Sequence, residues 1–169
     1  GNGSIGKEFA AVGDSAINAY DQVSGNAVGQ IDPWVILTVK DFKQVSDDEF
    51  WYMTADNQWF SGNDITLDEK VVSTRKKNTE EKGTNAIGKK FMPIGNDDIN
   101  VYDQPSADGR VVGKIAKWQA FNIAEAKQTG IDTFWYRYSP NKWVLGKEVT
   151  FNEQDLAKKK QEINDMLAK

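Results

Sequence analysis

The chain carries one sequence pattern twice, and this duplication constrains its fold more than any other feature. Residues 48–66, DEFWYMTADNQWFSGNDIT, return 84 positions later as residues 132–150, DTFWYRYSPNKWVLGKEVT. The six tryptophans fall into three matched pairs, which are Trp34 with Trp118, Trp51 with Trp135, and Trp59 with Trp143. Self-similarity of this kind predicts two structural units that are built in the same way.

The duplication also sets the expected domain boundaries. Repeat 1 covers 5–67 and repeat 2 covers 87–151, and at 63 and 65 residues each is close to the smallest size that one hydrophobic core stabilises. The charged segment 68–86 is predicted to be a linker that is helical in part. Residues 152–169 are predicted to form a C-terminal helix capped by Asn152. Its narrow apolar stripe is expected to dock on a barrel or on a second copy of the chain rather than on a membrane.

Within each repeat the pattern favours β structure. Short β-prone runs separated by Asp, Gly, Pro and Asn predict five strands per repeat, the longest around 34–42 and 118–126. Hairpin turns are expected at Asp56-Asn57 and at Pro140-Asn141. The predicted fold is therefore mainly β, with two tandem small β-barrels joined by a charged linker and followed by a C-terminal α-helix.

The composition removes several classes of function. The chain has no histidine and no cysteine, which are the residues most often used as general base, thiolate nucleophile or metal ligand. The acidic cluster 47–49 lacks the spacing of a calcium loop and indicates a solvated turn. We therefore expect a protein that is not an enzyme and that uses no metal ion or cofactor.

Charge and hydropathy narrow the choice of partner. The net charge is −4, but repeat 1 carries −7 and repeat 2 carries +2. A strongly acidic half argues against a nucleic acid as partner, since binding to phosphates needs a basic surface. A charge contrast between repeats would also favour pairing between copies, so a homodimer is one expected arrangement. No apolar run approaches the roughly 18 residues of a membrane span.

Two short motifs in each repeat point to a known family. Tyr20-Asp21 with Val28-Gly29 opens repeat 1, and Tyr102-Asp103 with Val112-Gly113-Lys114 opens repeat 2. The repeats close on Tyr52 with Asn57-Gln58-Trp59 and on Tyr136 with Asn141-Lys142-Trp143-Val144. These motifs resemble the bacterial Src-homology-3-like (SH3-like) tandem repeats of exported proteins, and they are most similar to the surface-layer-protein and cell-wall-anchoring repeats of lactobacilli.

The resemblance implies a fold, a location and a partner. It implies two SH3-like barrels in a secreted, cell-wall-associated protein whose signal peptide has been removed. The implied partner is a wall polymer, either peptidoglycan or teichoic acid, bound without catalysis. The alternative is a module for protein–protein interaction or self-association, with another surface protein as partner.

The alternation of side chains along a strand divides the aromatic residues into two sets. Phe50, Tyr52 and their partners in repeat 2 are expected in the core, which leaves Trp51 and Trp135 on the opposite, exposed face. In the same way Leu37 and Val39 place Trp34, and in repeat 2 Trp118, away from the core. Trp59 and Trp143 are expected at the rim of the core.

An exposed tryptophan needs a covering partner or a ligand. We expect the linker, the tail helix or the other repeat to cover these residues, and the alternatives are a ligand platform or a contact between copies. The candidate ligand-binding residues are Tyr20, Trp34, Trp51, Tyr102, Trp118, Trp135, Arg137 and Lys142. Lys114 and Lys117 are expected to contact an anionic polymer together with Arg137 and Lys142.

Overall fold

The computed structural model describes residues 2–168, without the side chain of Asn2. The chain is mainly β and divides into two compact units, Gly1–Thr79 and Glu80–Lys169. The predicted class, mainly β with two small β domains and a C-terminal helix, is confirmed. The expected boundaries of the repeats at 5–67 and 87–151 stay a prediction.

Each unit contains eight short strands in two antiparallel sheets. In the first unit the strands are β1 (Glu8–Ala11), β2 (Ile17–Tyr20), β3 (Ala27–Ile31), β4 (Leu37–Thr38), β5 (Asp41–Gln44), β6 (Phe50–Met53), β7 (Trp59–Ser61) and β8 (Ile65–Thr66). A five-stranded sheet has the order β3-β2-β7-β6-β5, and a three-stranded sheet has the order β4-β1-β8.

The second unit repeats this topology strand for strand. Its strands are β9 (Lys90–Pro93), β10 (Ile99–Tyr102), β11 (Val111–Ile115), β12 (Phe121–Asn122), β13 (Glu125–Gly130), β14 (Thr133–Ser139), β15 (Lys142–Leu145) and β16 (Val149–Thr150). The sheet orders are β11-β10-β15-β14-β13 and β12-β9-β16. The duplicated sequence therefore folds into a duplicated structure.

The two sheets of a unit enclose one hydrophobic core. Buried core residues of the first unit are Phe9, Ala19, Val39, Tyr52, Phe60 and Ile65. The core of the second unit includes Phe91, Val101, Phe134, Tyr136 and Val144. The inward placement of Tyr52, Phe134 and Tyr136 is confirmed, and Phe50 packs against the core from a half-buried position.

The prediction of one long strand around 34–42 in repeat 1, and around 118–126 in repeat 2, is wrong. The chain forms β4 and β5 instead, which belong to different sheets, and β12 and β13 divide in the same way. Val39 and Ile123 lie at the break with about 1% of their surface exposed. At the break the side chain of Val39 or Ile123 is buried in the core, and the chain passes from one sheet to the other. Each of the two strands is too short to show its own periodicity.

A helix follows the last strand of each unit. Helix α1 (Glu69–Lys82) occupies most of the segment expected as a charged linker, and α2 (Glu153–Leu167) is the expected C-terminal helix. The caps of the helices match, since Asp68 accepts hydrogen bonds from the backbone of Lys70 and Val71, and Asn152 does the same for the first turn of α2. The duplicated unit thus includes a helix, and the role of 68–86 as a linker stays a prediction.

The glycine of the duplicated pattern is required by a close approach of two backbone segments. Gly146 lies where an added Cβ would be 2.7 Å from the carbonyl oxygen of Phe134, and Gly62 has the same contact with Phe50. We expect Gly146→Ala to lower the free energy of unfolding by roughly 1–3 kcal/mol, because a backbone must shift to admit the methyl group.

Urea unfolding followed by circular dichroism measures this loss. Gly113→Ala is the matched control, because a Cβ at Gly113 meets nothing within 4 Å. An unfolding midpoint for Gly146→Ala equal to that of the control would contradict the packing described for this turn.

Candidate functional site

Each five-stranded sheet carries a second aromatic cluster on the side away from the core. In the first unit, Tyr20 pairs with Trp59, and Trp59 in turn pairs with Met53, so the three side chains share one face. Trp51 lies on the same face beside them. We call these clusters the outer aromatic faces; they consist of Tyr20, Trp51 and Trp59 in the first unit and Tyr102, Trp135 and Trp143 in the second.

A tyrosine and a tryptophan meet edge to face at the centre of each outer aromatic face. The ring centroids of Tyr20 and Trp51 are 5.2 Å apart at 77°, and those of Tyr102 and Trp135 are 5.3 Å apart at 88°. This is the preferred geometry of an aromatic pair. Both tyrosines remain half-buried, so each presents part of its ring to solvent while the tryptophan holds it in place.

The loop after each tyrosine is closed by the aspartate of the opening motif. The Asp21 carboxylate accepts a hydrogen bond from the backbone N–H of Asn26 at 2.9 Å, and Asp103 accepts one from Arg110 at the same distance. The loop of the second unit is two residues longer, and the insertion lies at its tip as expected. The aspartates therefore position the loops beside the tyrosines.

The expectation that Trp51 and Trp135 are exposed is wrong. Only 6% of Trp51 and 4% of Trp135 is accessible. Each lies on a strand with neighbours on both sides, so side chains of the adjacent strands and the tyrosine cover it; Lys127 and Leu145 lie directly opposite Trp135. Alternation identifies the face on which a side chain lies, but the width of the sheet decides whether that side chain is covered.

Trp59 and Trp143, expected at the rim of the core, also belong to the outer aromatic faces. Their pairing with Tyr20 and Tyr102 could be found only from the strand order. One further residue of this surface was missed by the sequence analysis, namely Lys127, which lies opposite Trp135. Its signal is present in the sequence, since Lys43 occupies the equivalent position in repeat 1.

The surroundings of the two outer aromatic faces differ in charge. Lys114, Lys127 and Arg137 lie on this side of the second unit together with Glu125. The first unit has Asp41 and Lys43, and Glu49, whose carboxylate accepts a hydrogen bond from Trp51 Nε1 at 3.1 Å. Arg137 Nε lies 2.8 Å from Glu125 Oε1. The surface around Tyr102 is therefore cationic, whereas the surface around Tyr20 carries two carboxylates and one lysine.

The remaining candidate residues lie elsewhere. Trp34 and Trp118 lie in turns before β4 and β12 rather than on strands, and Trp34 is half-buried whereas Trp118 is 51% exposed. Arg75 of α1 donates hydrogen bonds to the backbone carbonyls of Ala11 and Pro33, which fixes the turn before Trp34. Lys142 is exposed at the β14–β15 turn, next to Asn141 with a φ of 59°.

The second unit also has an open groove of about 760 Å³, which the sequence analysis did not predict. Phe134 and Tyr136 form its floor, and the Tyr136 hydroxyl donates a hydrogen bond to the Lys82 carbonyl. Burial raises the pKa of Tyr136 above its usual value. Charges of both signs line the groove, namely Glu81, Lys82, Lys89, Asp132, Lys147 and Glu153.

The part of the chain that the structure describes contains neither a metal-ligating cluster nor a helix that could span a membrane. No group of three or more metal-ligating side chains comes together between residues 2 and 168. Neither α1 nor α2 combines the length and the apolar character that crossing a bilayer requires.

Comparisons with known proteins give little beyond this geometry. No protein-family model matches the chain, and no curated protein matches it. Among solved structures, the chain is similar to one described as Endolysin LysPBC5 CBD, at 16% identity over 87% of this chain and 94% of that chain, with a TM-score of 0.33. A TM-score of this size supports no conclusion about the fold or the function of this chain.

Proposed function

We propose that this chain belongs to an exported, non-catalytic protein that binds or organises at the bacterial cell wall through its two repeats. The ligand is peptidoglycan or an anionic wall polymer. The observation that carries the proposal is the duplication of the outer aromatic face. Each unit has a hydrophobic core on the inner side of its sheet, and the second aromatic cluster, on the other side, keeps Tyr20 or Tyr102 partly accessible to solvent.

Each outer aromatic face suits a polymer of sugars and peptides. The half-buried rings of Tyr20 and Tyr102 offer an apolar surface, with a hydroxyl group at its edge that can donate or accept a hydrogen bond. Trp51 and Trp135 lie against these rings and hold them in place, which lowers the entropic cost of binding. The tyrosines are thus the contact residues, and the tryptophans position them.

The two units are proposed to bind different parts of the polymer, because their outer aromatic faces differ in charge. Around Tyr102, the side chains of Lys114, Lys127 and Arg137 attract phosphates or carboxylates, and Lys142 adds a cation at the nearby turn. The face around Tyr20 has Asp41 and Glu49 beside Lys43 and suits a segment of the polymer without anionic groups. Two weak sites on one chain bind a repeating polymer by avidity, without any new contact.

Sedimentation with purified cell walls of Gram-positive bacteria tests this proposal. The protein is expected to sediment with the walls at low salt and to lose part of its affinity at high salt, because salt screens only the cationic face. Walls stripped of teichoic acid are the control, and they should lose the salt-sensitive part alone. Absence of sedimentation at both salt concentrations would overturn the proposal.

A second candidate function is interaction with another surface protein or with a second copy of the chain. The groove of the second unit favours it, since three lysines and three acidic residues in an open groove suit an extended peptide of mixed charge. Light scattering in a salt titration separates the two functions. A dimer that dissociates in salt and does not bind walls would support this candidate over wall binding.

A further inference from the structure

Trp118 stands apart from the outer aromatic faces and has its own surroundings. Among the residues that the structure describes, it is the one aromatic side chain with more than half of its surface exposed, at 51%. Beside it is a cavity of about 120 Å³ between the turn before β12 and helix α2. The cavity is lined by Asn96, Lys117, Trp118, Lys159, Glu162, Ile163 and Met166, and we call these residues the Trp118 pocket.

Hydrogen bonds fix the Trp118 pocket on both sides. The turn is closed by Gln119, whose side chain accepts from the Ala116 N–H at 2.7 Å while its own N–H donates to the Ala116 carbonyl at 2.9 Å. The Asp98 carboxylate accepts from the Lys117 N–H at 3.2 Å. Lys159 of α2 donates to the carbonyl of Gly95 at 2.9 Å. Both walls are therefore held in place before any ligand binds.

The Trp118 pocket combines hydrogen-bonding side chains with an apolar wall and an exposed aromatic ring. Glu162 supplies a carboxylate acceptor, and Asn96 and Lys159 supply donors. Ile163 and Met166 form an apolar wall, and the Lys117 amine lies 5.8 Å from the centre of the Trp118 ring. A small ligand that contacts the acceptor, the donors and the apolar wall at once needs an N–H donor, a carbonyl acceptor and a methyl group close together.

The size of the cavity restricts the ligand further. Because each water takes up about 30 Å³ in the liquid, a cavity of about 120 Å³ holds roughly four waters. This is room for a substituent or a single ring, but not for a segment of folded polypeptide. An acetamido group has the required donor, acceptor and methyl group, and a sugar ring that carries it can pack on the exposed Trp118 ring.

We propose that the Trp118 pocket binds one N-acetylated sugar residue of a glycan chain. The assignment rests on the proposed function, since it names the part of the wall polymer that this pocket contacts. The acetamido N–H donates to Glu162, its carbonyl accepts from Asn96 or Lys159, and its methyl group contacts Ile163 and Met166.

The first unit keeps the tryptophan but not the pocket. The positions that correspond in the first copy of the sequence pattern to Asn96, Lys117, Glu162, Ile163 and Met166 hold Asp14, Pro33, Asn78, Thr79 and Lys82. The apolar wall is replaced by polar residues, and Trp34 is more buried than Trp118. The proposed sugar pocket is therefore a property of the second unit alone, and Trp34 is its natural control.

Isothermal titration calorimetry of the full chain tests the pocket. The probes are an N-acetylglucosamine tetramer and a glucose tetramer with the same linkage, and only the first is expected to bind. Trp118→Ala is expected to weaken binding about tenfold or more, as for the central residue of a contact. Glu162→Gln is expected to weaken it as well, because it keeps the shape but removes the charged acceptor. Trp34→Ala is the control and should bind as the native chain does.

Each outcome decides the matter, with folding checked by circular dichroism. Equal binding of the two tetramers, or native affinity in Trp118→Ala, would overturn the proposal that this pocket binds an N-acetylated sugar. So would light scattering that shows a dimer broken by Trp118→Ala and no binding of the N-acetylated tetramer. Sedimentation with walls but no binding of this tetramer would remove the pocket and leave the proposed function standing. Binding of the N-acetylated tetramer without sedimentation would overturn the proposed wall binding and leave the sugar pocket standing.

Discussion

Replacing Trp135 with alanine is expected to destabilise the second unit by about 3–5 kcal/mol, the cost of removing a large aromatic side chain from a packed site. Only 4% of Trp135 is accessible, and its removal leaves Tyr102 without its edge-to-face partner. At about 0.05–0.15 kcal/mol per residue, a repeat of 65 residues has a stability of about 3–10 kcal/mol, so this loss removes a large part of it. A defect in ligand binding by this variant would therefore report unfolding and not a lost contact.

Urea unfolding followed by circular dichroism measures the effect. Trp118→Ala is the matched control, because it removes the same side chain from an exposed position and is expected to change the free energy of unfolding by only about 0.5 kcal/mol. Equal urea midpoints for the two variants would contradict the burial of Trp135. Trp135 would then again be a candidate for direct contact with the ligand.

Replacing either tyrosine alone, Tyr20→Ala or Tyr102→Ala, is expected to lower the affinity for cell walls by about a hundredfold or more, because loss of one of two linked sites removes avidity. The stability also falls, by about 0.5–1.5 kcal/mol for the lost edge-to-face contact in addition to the lost burial of the half-buried ring. Tyr102→Ala is also expected to remove most of the salt dependence, since the cationic side chains surround Tyr102.

Binding isotherms on purified walls at two salt concentrations check both expectations. Tyr20→Phe and Tyr102→Phe are the controls, since they keep the ring that contacts the tryptophan and remove only the hydroxyl. Native affinity in both alanine variants would mean that neither outer aromatic face contacts the wall.

Much of the fold could be predicted because the information is local and duplicated. The hairpin turns at Asn57 and Asn141 lie where expected, with φ of 63° and 59° in the left-handed region that asparagine tolerates. Tyr136 is buried as its alternation with Trp135 requires, and Asn152 caps α2. Each of these features depends on a few neighbouring residues.

The remainder depends on contacts between distant strands. The alternation placed Trp51 and Trp135 on the correct face, but the side chains that cover them come from adjacent strands whose order a sequence does not state. Helix α1 carries charge on most of its surface, so its sequence does not show that it corresponds to α2. The correspondence follows from the matching caps formed by Asp68 and Asn152. The surroundings of Trp118 required the position of α2, which no local pattern gives.

Wall binding by the outer aromatic faces is tested most directly by sedimentation of the native chain and of the double variant Tyr20→Ala/Tyr102→Ala with purified Gram-positive cell walls. We predict saturable sedimentation of the native chain and near-background sedimentation of the double variant, because the Trp118 pocket that remains is a single weak site without avidity. Both proteins are expected to give the same circular dichroism spectrum. Sedimentation of the folded double variant to the native extent would contradict the proposed function of these faces.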